Sequence, residues 1–200
     1  PEKLLKIFNF SFCTLNLIDT PGHVDFSYEV DRSLAACEGV ILLIDATRGI
    51  QAQTLSHAHK AVNLGLHLIP AINKIDLPSA NIDQCLRQLH DVFGFRPEEI
   101  SRVSAKTGQG VADLLARVIT DIPAPQGNPA APLRALVFNS TYDDHLGVIA
   151  FVRVFDGCLK PTEPQKVGIF TPTRHPVDQL TAGQVGYLAT GLKDIRGLHL

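Results

Sequence analysis

Three short motifs carry the side chains of this sequence that could do chemistry. Asp19-Thr20-Pro21-Gly22 sets a carboxylate before a Pro-Gly break, and His23 follows it directly. Asn73-Lys74-Ile75-Asp76 combines an amide, an ammonium and a carboxylate, and Ser104-Ala105-Lys106 adds a hydroxyl and a second ammonium. A carboxylate can hold Mg²⁺, a glycine lets a backbone N–H approach a phosphate, and an imidazole can position a water. Together these residue types fit a nucleotide site.

The stretches before these motifs are expected to be strands, and amphipathic helical patterns separate them. The strand-like stretches are residues 15–18, 40–44, 68–72 and 102–104. Such alternation is typical of an α/β domain with a parallel sheet and right-handed crossovers. Because ligands bind at the carboxyl ends of the strands in such sheets, the three motifs are expected at one edge. Within residues 7–18 the alternation changes phase, which indicates either two abutting strands or a bulge.

The pattern changes after a proline-rich stretch. Residues 124–132 are predicted to form a semi-rigid linker and a domain boundary. Beyond it, apolar residues alternate with a period of two, and turn residues separate the alternating runs. We therefore predict a partial nucleotide domain over residues 15–123 and a small, incomplete antiparallel β-barrel over residues 133–200.

The composition excludes several classes of protein. Hydrophobic residues make up 45% and charged residues 19%, as in an ordinary globular chain, and no apolar run is long enough to span a bilayer. A net charge of −2 gives no chain-wide basic field, so contact with nucleic acid would have to be local. The four cysteines form no Cys-x-x-Cys pair and are expected to be free thiols. The sequence has no methionine, and we expect it to be a fragment.

The second and third motifs have the chemistry to read guanine. Guanine presents two adjacent donors, the ring N–H and the exocyclic amine, and the carboxylate of Asp76 can accept both. Adenine lacks this pair and would leave the carboxylate unpaired, which makes discrimination large. Asn73 can donate to the acceptor side of the base, and the stems of Lys74 and Lys106 can cover its two faces.

The first motif has the chemistry to meet the phosphate end of a nucleotide. Asp19 can hold Mg²⁺ through a water, because this ion dehydrates reluctantly. Gly22 leaves room for its backbone N–H to approach a terminal phosphate. The near-neutral pKa typical of histidine allows His23 to act as a base or as a charged group that orients water.

The residues from Asp19 to Phe26 resemble the translational GTPases, which include elongation factors Tu and G. Residues 27–39, 49–54 and 73–78 are similar to the LepA, or elongation factor 4, family and its mitochondrial homologues. The resemblance implies a GTP hydrolase dependent on the ribosome that promotes elongation fidelity or tRNA movement. Implied ligands are GTP or GDP with Mg²⁺, and implied partners are the ribosome and tRNA-bearing complexes, not DNA. His23 is the implied catalytic residue, and the implied GTP-binding residues are Asp19, Thr20, Pro21, Gly22, His23, Asn73, Lys74, Ile75, Asp76, Ser104, Ala105 and Lys106.

Residues 135–138, with Ser140, Thr141 and residues 147–150, resemble the mitochondrial members of the family. This implies a location in the mitochondrial matrix, peripheral to the inner membrane. The alternative is the cytoplasm of a bacterium.

The sequence also departs from the family. It holds no Gly-x-x-x-x-Gly-Lys-Ser/Thr motif, residues 1–14 are not family-like, and a strand with its turn is missing after Gly157. The domain is therefore predicted to lack its first strand and its phosphate loop. One alternative is a catalytically dead fragment or pseudo-GTPase that acts as a binding module. Another is a TypA or factor G type protein, against which residues 27–39 argue.

Overall fold

The computed structural model describes residues 5–9, 14–20, 27–163, 165–171 and 173–192. Pro21, Gly22 and His23 lie outside the described residues. The chain divides into two compact units. One contains the described residues up to 20, residues 28–36 and the described residues from 125 onward, and the other contains Ser27 and residues 37–124.

The unit of residues 37–124 is an α/β fold with a parallel sheet, as predicted. Its three strands lie side by side in chain order, and both pairings are parallel. The elements are β3 (Gly39–Asp45), α2 (Ala52–Asn63), β4 (His67–Asn73), α3 (Ile82–Phe93), a 3₁₀ turn (Pro97–Glu99), β5 (Ser101–Arg102) and α4 (Val111–Asp121).

Apolar side chains of the strands and helices form the core of this unit. Leu42 and Ile44 of β3 pack with Ile72 of β4 and with Cys85 and Leu89 of α3, and all five are buried. The ends of α3 have explicit caps: the Asn81 side chain accepts from the N–H of Gln84, and Gly94 is left-handed at the other end. The helical periodicity of the sequence thus places each apolar face against the sheet.

The strand before Asp19 pairs differently from our expectation. Thr14–Ile18 (β2) forms an antiparallel ribbon with Leu5–Asn9 (β1), with Leu5 opposite Ile18. The change of phase in this stretch therefore marks two abutting strands. We expected β2 in the parallel sheet, but its residues Leu15–Ile18 are only half-buried, unlike a strand covered on both faces.

The other unit is mainly antiparallel sheet, in agreement with the predicted period of two. Its elements are α1 (Ser27–Ala35), β6 (Arg134–Asp143), β7 (Gly147–Asp156), β8 (Cys158–Leu159), β9 (Lys166–Phe170), β10 (Arg174–Pro176), β11 (Leu180–Thr181) and β12 (Val185–Ala189). Five of the strands form a sheet in the order β10-β9-β12-β7-β6, and β8 pairs with β11 in a separate two-stranded sheet. Closure of these strands into a barrel stays a prediction.

Strand β7, which lies between β12 and β6, is buried on both faces. Ile149 and Phe151 join one cluster with Phe170 and Tyr187, in which the rings of Phe151 and Phe170 stack at 5.2 Å. The alternate residues of β7, from Ala150 to Val154, join a second cluster. The proline-rich segment is tied to the same unit, since the N–H of Gly157 donates to the carbonyl of Asn128. None of the described helices is long and apolar enough to cross a membrane.

Candidate functional site

Three parallel strands of residues 37–124 end beside one another and bring two of the three motifs together. Asp45 is the last residue of β3 and pairs with Asn73, the last residue of β4. The short strand β5 pairs with Ala71 and Ile72, and Ser104 follows two residues after its end. The carboxyl ends of these strands therefore carry Asp45, the 73–76 loop and the 104–107 loop at one edge, as expected.

The side-chain oxygen of Asn73 joins the two loops. It accepts from the N–H of Lys74 at 2.8 Å and from the N–H of Ala105 at 3.0 Å. Because both donors are backbone groups, they assign the oxygen and leave the amide NH₂ as a donor for a ligand.

The carboxylate of Asp76 is oriented by a buried hydroxyl. Ser104 is fully buried, and its Oγ donates to Asp76 Oδ1 at 2.7 Å while accepting from the N–H of Thr107 at 3.1 Å. The backbone of Ser104 is held as well, because its N–H donates to Gln109 and its carbonyl accepts from Gly108. Asp76 itself is exposed, so its remaining acceptor positions face solvent.

Hydrogen bonds hold Lys74 both at its backbone N–H and at the end of its side chain. Its backbone lies in the left-handed region with φ 65°, which is unfavourable for a residue with a Cβ. The bond from the Lys74 N–H to Asn73 supports that conformation. At the other end, Lys74 Nζ donates to Asp45 Oδ2 at 2.6 Å.

The Lys74 ammonium is the main reason that the pKa of the Asp45 carboxyl is lowered to about 2. The N–H of Thr47 donates to Asp45 Oδ1 at 2.9 Å, and Thr47 Oγ1 donates to the same oxygen at 2.7 Å. Both bonds favour the charged form, whereas partial burial opposes it. Asp45 is therefore a fixed anion at the end of β3 at neutral pH.

The other residues of the two loops have distinct surroundings. Ile75 packs against the apolar core of the unit, and its N–H donates to the carbonyl of Val103 at 3.4 Å, so it anchors the loop. Ala105 and Lys106 are exposed. The arrangement presents an amide donor, a carboxylate acceptor and two lysine stems, which is the set that the sequence predicted for a base.

The first motif is described only in part. Asp19 and Thr20 directly follow β2, and both are exposed. They belong to the unit with the antiparallel sheet, whereas the two loops belong to residues 37–124. Pro21, Gly22 and His23 lie outside the described residues, so their roles stay predictions.

Asp45 and Thr47 are functional candidates that the motif search missed. A signal for Asp45 was present, because it ends an apolar strand in the same way that Asn73 ends the next one. Thr47 gave no such signal, since its role depends on the turn that follows β3.

A cleft of about 230 Å³ is lined by residues of β3, α2 and the loop between them. Asp45 is in its lining, together with residues such as Arg48, Thr54 and His57. No residue of the 73–76 or 104–107 loop lines it. It therefore adjoins the two loops at Asp45 and is not formed by them.

Comparison with known proteins assigns the family. The profile described as "Elongation factor Tu GTP binding domain" matches residues 7–124, which is more than half of the chain. The match begins at residue 7, inside the segment 1–14 that we predicted not to be family-like. "Elongation factor 4" of Aquifex aeolicus is 50% identical over 198 residues, covering 93% of this chain and 33% of that protein. The chain belongs to the elongation factor 4 family.

Two further relatives give the same result. "Elongation factor 4" of Thermotoga maritima is 49% identical, covering 90% of this chain and 31% of that protein. "Elongation factor 4" of Bifidobacterium longum is 48% identical, covering 91% and 31%. The chain thus spans about a third of the length of these relatives of the elongation factor 4 family. All three come from bacteria, so the mitochondrial location stays a prediction.

Replacing Asn73 by alanine tests the link between the loops. Asn73→Ala leaves the N–H groups of Lys74 and Ala105 without their acceptor, so we expect a loss of about 1–2 kcal/mol in the free energy of unfolding. Amide exchange of Ala105, measured by NMR, should become about tenfold faster. Asn139→Ala is the matched control, because Asn139 accepts only from the adjacent Ser140 N–H in the described bonds. Unchanged exchange at Ala105 in Asn73→Ala would contradict the link.

Acid titration tests the pairing of Asp45. Its folded-state pKa of about 2 lies below the ordinary value of 3.8, so the pairing stabilises the protein above about pH 4. This stabilisation is lost as the pH falls toward 2. Because Lys74 is half exposed, we expect a contribution of about 1 kcal/mol. Urea unfolding between pH 2 and 5 gives the free energy of unfolding of the unmodified protein and of Asp45→Asn. We expect the difference between the two free energies to shrink as the pH falls toward 2, and a difference that does not change with pH would refute the pairing.

Proposed function

We propose that the chain supplies the guanine-recognition loops of a GTPase that depends on the ribosome and promotes elongation fidelity or tRNA movement. The observation that carries the proposal is the bonding of Asn73. Its oxygen is consumed by two backbone donors, so a donor NH₂ and the acceptor carboxylate of Asp76 are what the loops offer to a ligand. Guanine carries acceptors at O6 and N7 and donors at N1 and N2, and this pattern matches the offered pair.

Family membership supports the rest of the proposal. The family profile is described by GTP binding, and its match includes Asp19 and His23 as well as the two loops. In this proposal GTP or GDP is the ligand, and the ribosome with its tRNA-bearing complexes is the partner. Lys74 and Lys106 cover the two faces of the base. Ala105 precedes Lys106 and ties its loop to Asn73 through the backbone N–H.

The first motif would serve the phosphate end. The exposed carboxylate of Asp19 and the hydroxyl of Thr20 are oxygen donors of the kind that Mg²⁺ prefers, and one carboxylate with bound waters suits this ion. Bound Mg²⁺ would neutralise charge on the phosphates. Gly22 would bring its N–H to the terminal phosphate, Pro21 would shape the turn, and His23 would position the attacking water.

Replacing the Asp76 carboxylate by an amide tests which base the loops bind. Asp76→Asn replaces one acceptor oxygen by a donor NH₂, which no longer matches the two donors of guanine. In the protein with its natural flanking sequence, we expect GDP affinity to fall about 30- to 100-fold. Affinity for xanthosine diphosphate, which carries an oxygen in place of the guanine amine, should rise. Fluorescent-nucleotide titration measures both.

The control for this exchange is Asp91→Asn, which removes an exposed carboxylate on α3. It should leave both affinities unchanged. Loss of GDP affinity without any gain for xanthosine diphosphate would contradict a direct contact between Asp76 and the base. Failure of the unmodified protein to bind GDP would refute the proposed function itself.

A separate prediction concerns the 200 residues expressed alone. This polypeptide holds no Gly-x-x-x-x-Gly-Lys-Ser/Thr motif, so it lacks most charge-assisted contacts to the phosphates. We expect it to bind GDP more weakly than micromolar in the same titration. Micromolar binding by these residues alone would show that the loops need no phosphate loop.

A further inference from the structure

We propose that Asp45 is a positioning residue for base recognition, which holds the ammonium of Lys74 so that the lysine stem is in place before a nucleotide binds. The inference rests on the proposed function, because it assigns Lys74 to one face of the base. It adds a residue outside the three motifs to the machinery of the site. Asp45 acts through Lys74 and does not touch the ligand.

The first support is the way in which Lys74 is held. Its N–H is bonded to Asn73, and its Nζ lies 2.6 Å from Asp45 Oδ2, so the side chain spans the distance between the ends of β4 and β3. The register of the two strands, with Asp45 opposite Asn73, sets that distance. A long side chain that is already ordered loses less conformational entropy when a ligand packs against it.

The second support is that hydrogen bonds hold both the carboxylate and the backbone of Asp45. Thr47 donates twice to Oδ1, which leaves Oδ2 for the lysine. The carbonyl of Asp45 accepts from the N–H groups of Arg48 and Gly49, so the backbone turn is also closed. The Asp45 side chain is 22% exposed, whereas that of Lys74 is 50% exposed.

This asymmetry distinguishes the pair from an ordinary surface ion pair. Two mobile charged side chains gain little from pairing, because both must be ordered. Here the carboxylate is fixed before the pair forms, and only the lysine is ordered by it. The main effect of the ion pair is therefore to fix the position of the Lys74 side chain.

The experiment is a double-mutant cycle on GDP binding in the protein with its natural flanking sequence. Asp45→Asn keeps an oxygen for the two Thr47 donors and replaces the lysine acceptor by an NH₂ group. Lys74→Met keeps an apolar stem and removes the ammonium. We expect Asp45→Asn to weaken GDP binding about three- to tenfold when Lys74 is present, and less than twofold in the Lys74→Met background.

The matched control is Asp121→Asn. Asp121 pairs with Arg117 at 3.2 Å on α4, so this change removes an ion pair of the same unit that the site does not use. It should leave GDP affinity unchanged even where it lowers the free energy of unfolding. If Asp45→Asn does not fold, Thr47→Val replaces it in the cycle. We then expect a twofold loss of GDP affinity when Lys74 is present and no loss in the Lys74→Met background.

The outcomes separate the two proposals. If unmodified protein does not bind GDP, the proposed function fails and this inference fails with it. If unmodified protein binds GDP but Asp45→Asn binds equally well, more tightly, or more weakly to the same extent in both backgrounds, the positioning role alone is refuted. A loss of affinity confined to the Lys74 background supports it.

Discussion

The parallel register of β3 and β4 is the constraint on which the candidate site depends. It sets Asp45 opposite Asn73, so that the carboxylate after one strand lies within reach of the lysine after the next. The register is specified by the core, because Leu42 and Ile44 are buried while Leu43 between them is 52% exposed. A slip by one residue would expose the first two and turn Asp45 to the other face. Apolar packing thus sets the positions of the polar groups.

The loops beyond the strands owe their shape to side-chain hydrogen bonds. Asn73 ties the two loops together through backbone donors, and the buried hydroxyl of Ser104 fixes Asp76. The left-handed backbone of Lys74 is a local cost of the order of 1 kcal/mol, which the bond to Asn73 offsets. Each of these groups would be costly to leave unpaired where it is buried. The geometry of the site is therefore part of the folded structure and does not need a ligand to form.

The sequence predicted what depends on periodicity and on motif chemistry. Continuous apolar runs located β3 and β4, and the motifs located the loops after β4 and β5. The pairing of β2 could not be predicted, because a half-apolar strand fits either a sheet edge or a ribbon with an abutting strand. The role of Asp45 was also out of reach, since a carboxylate at the end of a strand becomes a lysine partner only once the strand register is known. A local sequence pattern does not specify which strands pair or in which register.

The proposed function separates specificity for a nucleotide from affinity for it. The described bonds that shape the two loops and the Asp45–Lys74 pair all lie within residues 37–124. In the proposed function their donors and acceptors read the edge of a base, and unpaired groups against the wrong base give large discrimination. Most binding energy for a nucleotide comes from its phosphates and Mg²⁺, which need other groups. Because the bonds that shape the proposed base-reading loops lie within one compact unit, the proposed function implies that loss or gain of phosphate contacts would change how tightly the protein binds and leave unchanged which base it prefers.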